Sequence, residues 1–472
     1  MRFKHRPPPP KPKKAVYKQT PPKDCALILQ VGLELHRANR LQEAYKKYQE
    51  ILAIDPKHFD ALQLTATVLN QLGNHTAALP LFDQALQISK LNAAVFNNRG
   101  NALQELKRLD EALASYAEAI RIKPDYADAF NNRGVTLQEL KRLDDALASY
   151  AEAIRIKPDY AEAYWNKSLL HLLLGDFYDG WSLYEWRLKK DDTRNNYYSG
   201  TERVWRGDWS IEGRRLLIDA EQGFGDSIQF VRYVKNISAL GAEVILRMPE
   251  PLISLFTASD LPATLVTKGD PLPNFDAYCP LMSLPYALKT SIETIPASIP
   301  YLRAEERKIT EWQQRLGEEK RFRVGLVWSG SKTHKNDANR SLALKQLLPL
   351  LDLPVAWYSL QKEYREEDEI LLNDGLRIKR YEKDLSDYSD TAALIAALDL
   401  VISVDTSVAH LAGAIGKRVW VLLPYVPDFR WLLDRDDSPW YPTVRIFRQD
   451  ETRDWDLTLK RVVVELHAIS QT

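Results

Sequence analysis

Two patterns of hydrophobic positions divide the chain of 472 residues. From residue 24 to about residue 195, apolar and small residues recur at helical spacing, and the pattern repeats along the chain. From about residue 205 onward, the apolar positions form short runs rich in valine, isoleucine and leucine, bounded by glycine or polar residues. Such runs predict buried β-strands, and the segments between them carry helix start and stop signals. The pattern therefore predicts a helical repeat region followed by an α/β region.

The helical region repeats with a period of 34 residues, which is typical of tetratricopeptide repeats. The segment that starts at Phe96 returns almost unchanged from Phe130, and weaker copies predict about five repeats over residues 24–195. Small residues let paired helices approach closely, and a proline ends each second helix. A stack of such pairs forms a superhelix with a concave binding surface. The recurring positions are Phe96, Gly100, Leu103, Ala112, Tyr116, Ala119 and Pro124, and then Phe130, Gly134, Leu137, Ala146, Tyr150, Ala153 and Pro158.

Three asparagines recur with this period on successive first helices: Asn98, Asn132 and Asn166. Because an amide both donates and accepts hydrogen bonds, such a row can hold the backbone of an extended acceptor peptide. Asparagine at this position also forms hydrogen bonds between paired helices. The sequence leaves both interpretations open.

In the α/β region, residues 401–424 predict one strand–helix–strand unit. A β-branched run ends at Asp405, Thr406 and Ser407, which are favourable residues for starting a helix. The free N–H groups at that helix start favour an anion such as a phosphate. His410 follows Thr406 by four residues and is expected on the same helix face. The alternative is an ordinary crossover with a buried histidine.

A second strand followed by a glycine turn is predicted nearer the repeats. The run 216–218 reads as a strand, and Gly223 and Gly225 follow it in a turn where a ligand can approach the backbone closely. Asp226 comes next, and a carboxylate at the carboxyl edge of a sheet is a candidate general base. The alternative is that Asp226 only caps the following helix, which we predict over residues 228–240.

A third turn follows the predicted strand at residues 323–328. It contains Ser331, Lys332, His334 and Arg340, whose donors and positive charges suit a diphosphate. A solvated basic loop is the alternative. Arginine and aromatic residues of the segment 425–448 could also hold a nucleotide or order the cleft.

Metal chemistry is not predicted. Asp434 and Asp436 form a D-x-D pair of the kind that grips a cation in metal-dependent sugar transferases, but we favour surface salt bridges for them. Cys25 and Cys279 form neither a disulfide framework nor a zinc-binding pattern.

Charge and hydropathy restrict the class of protein further. Lysine plus arginine and aspartate plus glutamate number 64 each, which argues against a dedicated nucleic-acid binder. No apolar run is long enough to span a bilayer. Residues 1–23 are basic and proline-rich, without the apolar core of a signal peptide, and predict a disordered tail. We therefore predict a cytoplasmic protein, with peripheral membrane contact left open.

Four motifs together resemble a known family: EQGFGDSIQFVRY, GLVWSGSKTHKNDANRS, VISVDTSVAHLAGAIGKRVWVLLP and PDFRWLLDRDDSPWYPTVRIFRQ. They are similar to bacterial tetratricopeptide-repeat glycosyltransferase-like proteins, whose catalytic region is similar to the ADP-heptose:lipopolysaccharide heptosyltransferases. The resemblance implies an α-solenoid followed by a GT-B fold of two Rossmann-like lobes. The lobes would cover residues 205–305 and residues 306–472, the second with a C-terminal helix. The order of repeats and GT-B fold also looks like that of the O-linked N-acetylglucosamine transferases of proteins.

The resemblance also implies roles for single residues. Asp226 matches the aspartate proposed as general base, and Gly225 matches the glycine beside the diphosphate. Ser331 and Lys332 fall in the phosphate-holding loop. Asp405, Thr406 and His410 match the donor-binding DTxxxH segment. The family uses neither a metal nor a cofactor, and its co-substrate is a nucleotide sugar.

The sequence hypothesis is therefore a metal-independent glycosyltransferase. It would move a sugar from a nucleotide-sugar donor to a protein or glycan acceptor that the repeats dock. The main alternative is a tetratricopeptide scaffold for protein interaction with a catalytically inactive GT-B domain. A nucleotide-sugar epimerase of GT-B type is a third hypothesis.

Overall fold

The computed structural model describes residues 23–190, 203–334 and 336–471. The predicted disordered tail lies outside the described residues except for Lys23, with which the first helix begins. The last residues of the predicted repeat region, 191–195, also lie outside them. The chain divides into two compact units, Met1–Leu140 and Lys141–Thr472, so the division falls inside the predicted repeat region.

The first unit contains seven described helices, and each of the first six packs on the helix that follows it. Short polar residues start two of them, since the side chains of Asn74 and Asn92 accept hydrogen bonds from the backbone N–H groups three residues later. The helices are α1 (Lys23–Arg37), α2 (Leu41–Ile54), α3 (Phe59–Gln71), α4 (His75–Ile88), α5 (Ala93–Glu105), α6 (Leu109–Ile122) and α7 (Ala127–Glu139).

Glycine and tyrosine positions of the repeat explain how closely these helices pack. A Cβ atom on Gly100 would lie 2.5 Å from the ring of Tyr116, which is fully buried. The same distance separates a Cβ on Gly32 from the ring of Tyr48, two helix pairs earlier. The missing side chain therefore makes room for the aromatic ring of the paired helix, as the repeat pattern predicts.

The second unit begins with three more helices of the repeat region, followed by a 3-10 turn, Glu185–Lys189. Two parallel sheets come after them. The helices before the sheets are α8 (Leu143–Ile156), α9 (Ala161–Leu173) and α10 (Phe177–Tyr184).

The first sheet has the strand order β1-β5-β2-β3-β4, and every pair in it is parallel. Leu217, Ile245 and Tyr278 from its central strands form an apolar core on one face. The strands are β1 (Arg203–Val204), β2 (Arg215–Asp219), β3 (Glu243–Met248), β4 (Thr264–Thr267) and β5 (Ala277–Pro280).

The second sheet has the order β11-β10-β9-β6-β7-β8, again with parallel pairs throughout. Its central strands are buried along their whole length, as expected of a parallel sheet covered on both faces. The strands are β6 (Arg323–Val327), β7 (Ala356–Ser359), β8 (Ile378–Lys379), β9 (Leu400–Val404), β10 (Val419–Leu423) and β11 (Val444–Arg448).

The α/β region also contains helices, most of which connect successive parallel strands within a sheet. They are α11 (Phe224–Phe230), α12 (Val234–Ala239), α13 (Glu250–Ala258), α14 (Leu284–Ala287), α15 (Glu306–Leu316), α16 (Asp337–Arg340), α17 (Leu348–Leu351), α18 (Glu366–Asn373), α19 (Tyr388–Ala396), α20 (Ser407–Ala414) and α21 (Trp455–Ser470). Among the described residues, we find no helix that combines the length and apolar character needed to cross a membrane.

The predicted helix at residues 228–240 is wrong in its bounds. The structure starts α11 at Phe224, with Gly223 as its N-cap, and a 3-10 turn, Val231–Tyr233, separates α11 from α12. Helix α11 begins early because the carboxylate of Asp226 accepts the backbone N–H of Gly223, one turn back.

Candidate functional site

The glycine turn after β2 lies directly against the start of the helix after β9. A Cβ atom on Gly225 would lie 3.1 Å from Cδ2 of His410 and 3.4 Å from Cα of Ser407. Helices α11 and α20 pack on each other at this point. The carboxyl ends of the two sheets therefore meet where the sequence places its glycine turn and its anion-favouring helix start.

Asp226 has partners for both of its carboxylate oxygens. Oδ2 accepts the N–H of Gly223 at 2.8 Å, and Oδ1 accepts a hydrogen bond from Nη2 of Arg430. Only 19% of its side chain is exposed. The capping role is present, and the predicted role as a general base stays a prediction.

Arg430 is a site residue that the sequence analysis did not single out. It lies in a 3-10 turn after β10, with 10% of its side chain exposed. Besides Asp226, its guanidinium donates to Asp428 Oδ1 at 2.7 Å and to Gln229 Oε1 at 2.8 Å. Burial lowers the pKa of Arg430, but Asp428 and Asp226 outweigh burial and leave the pKa above its ordinary value. Arg430 therefore joins the helix after β2 to the segment after β10 as a permanent cation.

Asp405 occupies the end of β9 at the same place. Burial and the nearby carboxylate of Asp428 raise the pKa of Asp405 to about 6, against the opposing effect of Arg430 and Arg340. Its Oδ1 lies 3.8 Å from Nε2 of His410. A carboxyl group with this pKa titrates near neutrality, which is a property common at functional sites.

His410 is buried and uncharged. Burial, and then Arg430, hold the pKa of His410 well below its usual range. Its Nδ1 shares a hydrogen bond of 3.0 Å with the hydroxyl of Tyr441, and its ring stacks on Trp431. The histidine therefore packs the start of α20 against the segment after β10. Its surroundings are those of a buried histidine, which the sequence analysis gave as the alternative to an anion-binding role.

Thr406 and Ser407 form the start of α20. Thr406 is the N-cap residue, and its hydroxyl lies 3.0 Å from Ser403 Oγ instead of capping the helix. The hydroxyl of Ser407 lies 2.8 Å from that of Tyr388. Because the hydroxyl of Thr406 does not accept from the first turn, that turn keeps N–H groups for an anion.

The predicted cationic loop reaches this site through Arg340. Its Nη1 donates to the backbone oxygen of Asp405 at 2.9 Å, and its guanidinium covers Gly330, where a Cβ would lie 2.5 Å from Nη2. Ser331 and Lys332 are exposed, and Ser331 contacts the hydroxyl of Thr333 at 2.9 Å. Arg340 is therefore the residue of this loop that hydrogen bonds fix at the site, whereas Ser331 and Lys332 face solvent.

His334, on the same loop, is influenced by the site charges. Burial and Arg340 lower the pKa of His334, and Asp428 and Asp226 oppose them. Its Nδ1 accepts the N–H of Asn336 at 3.1 Å. His334 is therefore expected to be neutral at physiological pH.

The asparagines of the repeats take part in hydrogen bonds between side chains. In the first unit, Nδ2 of Asn132 donates to Asn97 at 3.1 Å and to Asn101 at 3.0 Å, and Asn98 donates to Thr67 at 3.4 Å. Asn166 lies on α9 of the second unit and is half-buried. These contacts favour the helix-pairing interpretation for the first two residues, and peptide binding stays a prediction.

The end of the repeat region packs on the site through an aromatic cluster, defined here as Phe177, Trp181, Tyr184, Phe230, Phe429 and Trp440. Trp181 contacts Phe230 and Phe429 with ring centroids 6.0 and 5.8 Å apart. Phe177 stacks on Trp440 at 6.1 Å. Sequence reasoning missed this cluster, although three of its members stand together at residues 177–184, where Phe177 and Trp181 replace leucines of the preceding repeat.

Two further features lie away from the glycine turn. Among the described residues, His171, Asp176 and Asp179 bring His/Asp ligand atoms within 4.8 Å of one another, and His171 Nδ1 is already hydrogen-bonded to Asp176. A pocket of about 540 Å³ is lined by residues 173–175, Ile292 and part of the segment 432–437, including Asp434 of the D-x-D pair.

Comparisons with known proteins identify the repeats. Models described as "TPR repeat" and "Tetratricopeptide repeat" match residues 100–141, 127–160 and 31–93. Protein FlbA of Caulobacter vibrioides is 26% identical over 480 aligned residues, covering 96% of this chain and 74% of that protein. Human Tetratricopeptide repeat protein 7B is 36% identical over 64 residues, 14% of this chain and 8% of that protein.

Two solved structures each match about a third of the chain. MamA has 20% identity and a TM-score of 0.31, covering 35% of this chain and 98% of its own. A thermophilic tetratricopeptide protein of Thermus thermophilus has 22% identity and a TM-score of 0.33, covering 36% of this chain and 92% of its own. The family models and the 34-residue period together establish that the helical region is a tetratricopeptide α-solenoid, a class of protein-interaction module.

Proposed function

We propose that the chain is a metal-independent glycosyltransferase of GT-B type, which moves a sugar from a nucleotide-sugar donor to a protein or glycan acceptor docked by the repeats. The observation that carries the proposal is the contact of Gly225 with His410 and Ser407. It places a glycine turn of one parallel sheet against a helix start of the other. Ligands of parallel α/β sheets bind at such carboxyl edges.

The charges around this contact suit a nucleotide diphosphate. Arg340 is held at the backbone of Asp405, beside the first turn of α20, and Lys332 is exposed on the loop that leads to it. The free N–H groups of α20 add a favourable helix dipole. Together they would stabilise the negative charge that develops on a leaving diphosphate.

Transfer requires one bond to form and one to break. The acceptor oxygen bonds to the anomeric carbon, while the bond from that carbon to the diphosphate oxygen breaks and leaves its electron pair on the diphosphate. The proton of the acceptor hydroxyl passes to a carboxylate, for which we propose Asp226. Arg430 fixes the direction of that carboxylate, and each of its oxygens keeps a second lone pair.

The same contact also favours a second candidate function. A Cβ atom on Gly225 would lie closer to His410 than an ordinary van der Waals contact, so the glycine turn and the start of α20 are packed directly against each other. A protein-interaction scaffold whose α/β region binds no ligand would have this packing. The two candidates differ in whether nucleotide sugars bind.

The test is a panel of nucleotide sugars measured with wild type, Asp226→Asn and the control Asp270→Asn, whose aspartate is exposed after β4. A true donor should raise the melting temperature, since a ligand that binds only the folded state stabilises it. Transfer or slow hydrolysis should fall by about 100-fold or more in Asp226→Asn, as expected for a lost general base, and stay unchanged in the control. Absence of any stabilising donor would support the scaffold, and full activity of Asp226→Asn would remove Asp226 from the mechanism.

A further inference from the structure

Arg187 is a buried charge at the end of the repeats. It lies in the 3-10 turn directly after α10, with 1% of its side chain exposed. Burying an arginine is unfavourable unless every donor finds a partner and the charge is neutralised. The contacts of Arg187 must therefore compensate for the cost of burying its charge.

All five donors of the guanidinium are used. Nε and Nη2 form a fork on Glu221, at 2.9 Å to Oε2 and 2.7 Å to Oε1. Nη2 also donates to Ser283 Oγ at 2.8 Å. Nη1 donates to Glu185 Oε1 at 2.7 Å and to the backbone oxygen of Tyr184 at 3.3 Å. The orientation of Arg187 is thus fixed, because a planar fork of this kind has one geometry.

The partner of this fork belongs to the candidate site. Glu221 and Gln222 are the two residues directly before Gly223. Glu221 Oε1 accepts a further hydrogen bond from the backbone N–H of Met282 at 3.0 Å, and Gln222 Nε2 donates to the hydroxyl of Tyr184 at 3.1 Å. The end of the last repeat therefore holds both residues from which the glycine turn begins.

The same helix end also contacts the other side of the site. The rings of Trp181 and Tyr184 pack on Phe429 with centroids 5.8 and 6.1 Å apart. Phe429 directly precedes Arg430, which binds Asp226. The last repeat thus contacts residues adjoining the site in both sheets.

We propose that Arg187 is a positioning residue, through which the last repeat holds the glycine turn in the conformation that binds a nucleoside diphosphate. This inference rests on the proposed function. It makes the last repeat a part of the nucleotide site, in addition to any role of the repeats in docking an acceptor. A purely structural Arg187 would affect stability and leave the affinity of the folded protein for the ligand unchanged.

The experiment uses the full chain and measures the Kd of UDP, GDP and ADP by calorimetry, well below the melting temperature of every variant. Arg187→Lys keeps the charge and loses the fork. The matched control is Arg247→Lys, because Arg247 makes the same fork on the buried Asp219 within the same sheet and lies on β3, outside the turn. Both variants should lower the melting temperature. Only Arg187→Lys should raise the Kd of the diphosphate that binds, by about tenfold or more, which corresponds to ~1.4 kcal/mol.

A wild-type Kd for Arg187→Lys, or an equal rise for Arg247→Lys, would overturn the inference and leave the proposed function standing. If wild type binds none of the three diphosphates and no nucleotide sugar of the panel used to test the proposed function, the proposed function fails and the inference fails with it. Should Arg187→Lys not fold, Tyr184→Phe takes its place, since it loses only the hydroxyl that contacts Gln222. A Kd raised by roughly threefold or more would support the inference, as the loss of one hydrogen bond predicts, and an unchanged Kd would overturn it.

Discussion

At the scale of single residues, Asp405 has the most informative electrostatic environment. Two carboxylates and three cationic or potentially cationic groups face one another there: Asp405, Asp428, Arg340, Arg430 and His410. His410 remains neutral because of burial, so it does not compensate the charge of Asp405. Ionising Asp405 therefore costs the folded state free energy, which links its protonation to stability.

Asp405→Asn should change stability in a pH-dependent way. The pKa of Asp405 is about 6 in the folded chain and 3.8 ordinarily, so the folded state gains stability from protonation below pH 4 and loses it as the pH rises through 6. The variant removes this loss. The free energy of unfolding of the variant, relative to that of wild type, should increase by up to about 3 kcal/mol when the pH is raised from 4 to 7.5. Urea unfolding at both pH values measures the difference, with Asp270→Asn as the control, and an equal effect at both pH values would contradict the assignment.

Residue-level prediction was possible where a local pattern existed. Gly225 and the helix start at Thr406 are indicated by their neighbours in sequence, and Gly225 lies against Ser407 and His410 of that helix. Their roles in binding a ligand stay predictions. Arg430 has its partner Asp226 at a separation of 204 residues. Arg187 has its partner Glu221 in a different element. Such pairs depend on tertiary packing, to which no local periodicity corresponds.

At the scale of elements, repetition made the helices predictable. The 34-residue period places small residues where a paired helix brings a large one, and the contact of Gly100 with Tyr116 is the physical reason. The connection after β2 was harder to predict. The side chain of Asp226, the third residue of α11, determines where the helix starts. A short 3-10 turn then divides a segment whose apolar pattern predicts a single helix.

Gly100→Ala should destabilise the first unit by about 1–3 kcal/mol, which is typical of overpacking a close-packed site. The new methyl group would lie 2.5 Å from a ring that is fully buried and cannot move aside without opening the helix pair. Thermal unfolding followed by circular dichroism measures the effect. Glu118→Ala on the exposed face of α6 serves as the control and should stay within about 0.5 kcal/mol of wild type. Equal stability of the two variants would show that the helix pair adapts.

At the scale of the whole molecule, the compact units differ from the predicted domains. The sequence groups all the repeats together because they share one period. The structure groups α8, α9 and α10 with the two sheets, because Trp181 and Tyr184 are buried against residues of the α/β region. The sequence could predict that parallel sheets follow the repeats, but no pattern showed where the repeats become part of the α/β core.

A shortened chain that begins at residue 203, and so keeps β1, should therefore fail to fold into a native α/β region. It loses the rings that cover Phe429 and Trp440, and it leaves Glu221 without Arg187 in a buried position. Each lost aromatic pair contributes roughly 0.5–1.5 kcal/mol, and an unpaired buried carboxylate is more costly. Dye binding to exposed apolar surface and near-ultraviolet circular dichroism measure the result. A chain that begins at residue 141 is the control, and native spectra for both chains would contradict the prediction.

The buried fork between Arg187 and Glu221 also limits how the sequence can diverge. Losing Arg187 alone leaves the buried carboxylate of Glu221 without its cation, at a cost of about 3–5 kcal/mol. Losing Glu221 alone is less severe, because Arg187 keeps Glu185 as a carboxylate partner. Replacing Arg187 and Glu221 together by apolar side chains of similar volume would be better tolerated than losing Arg187 alone. These two positions are therefore expected to drift as a pair over evolutionary time, and a lineage that exchanged both would have to find another means of anchoring the turn.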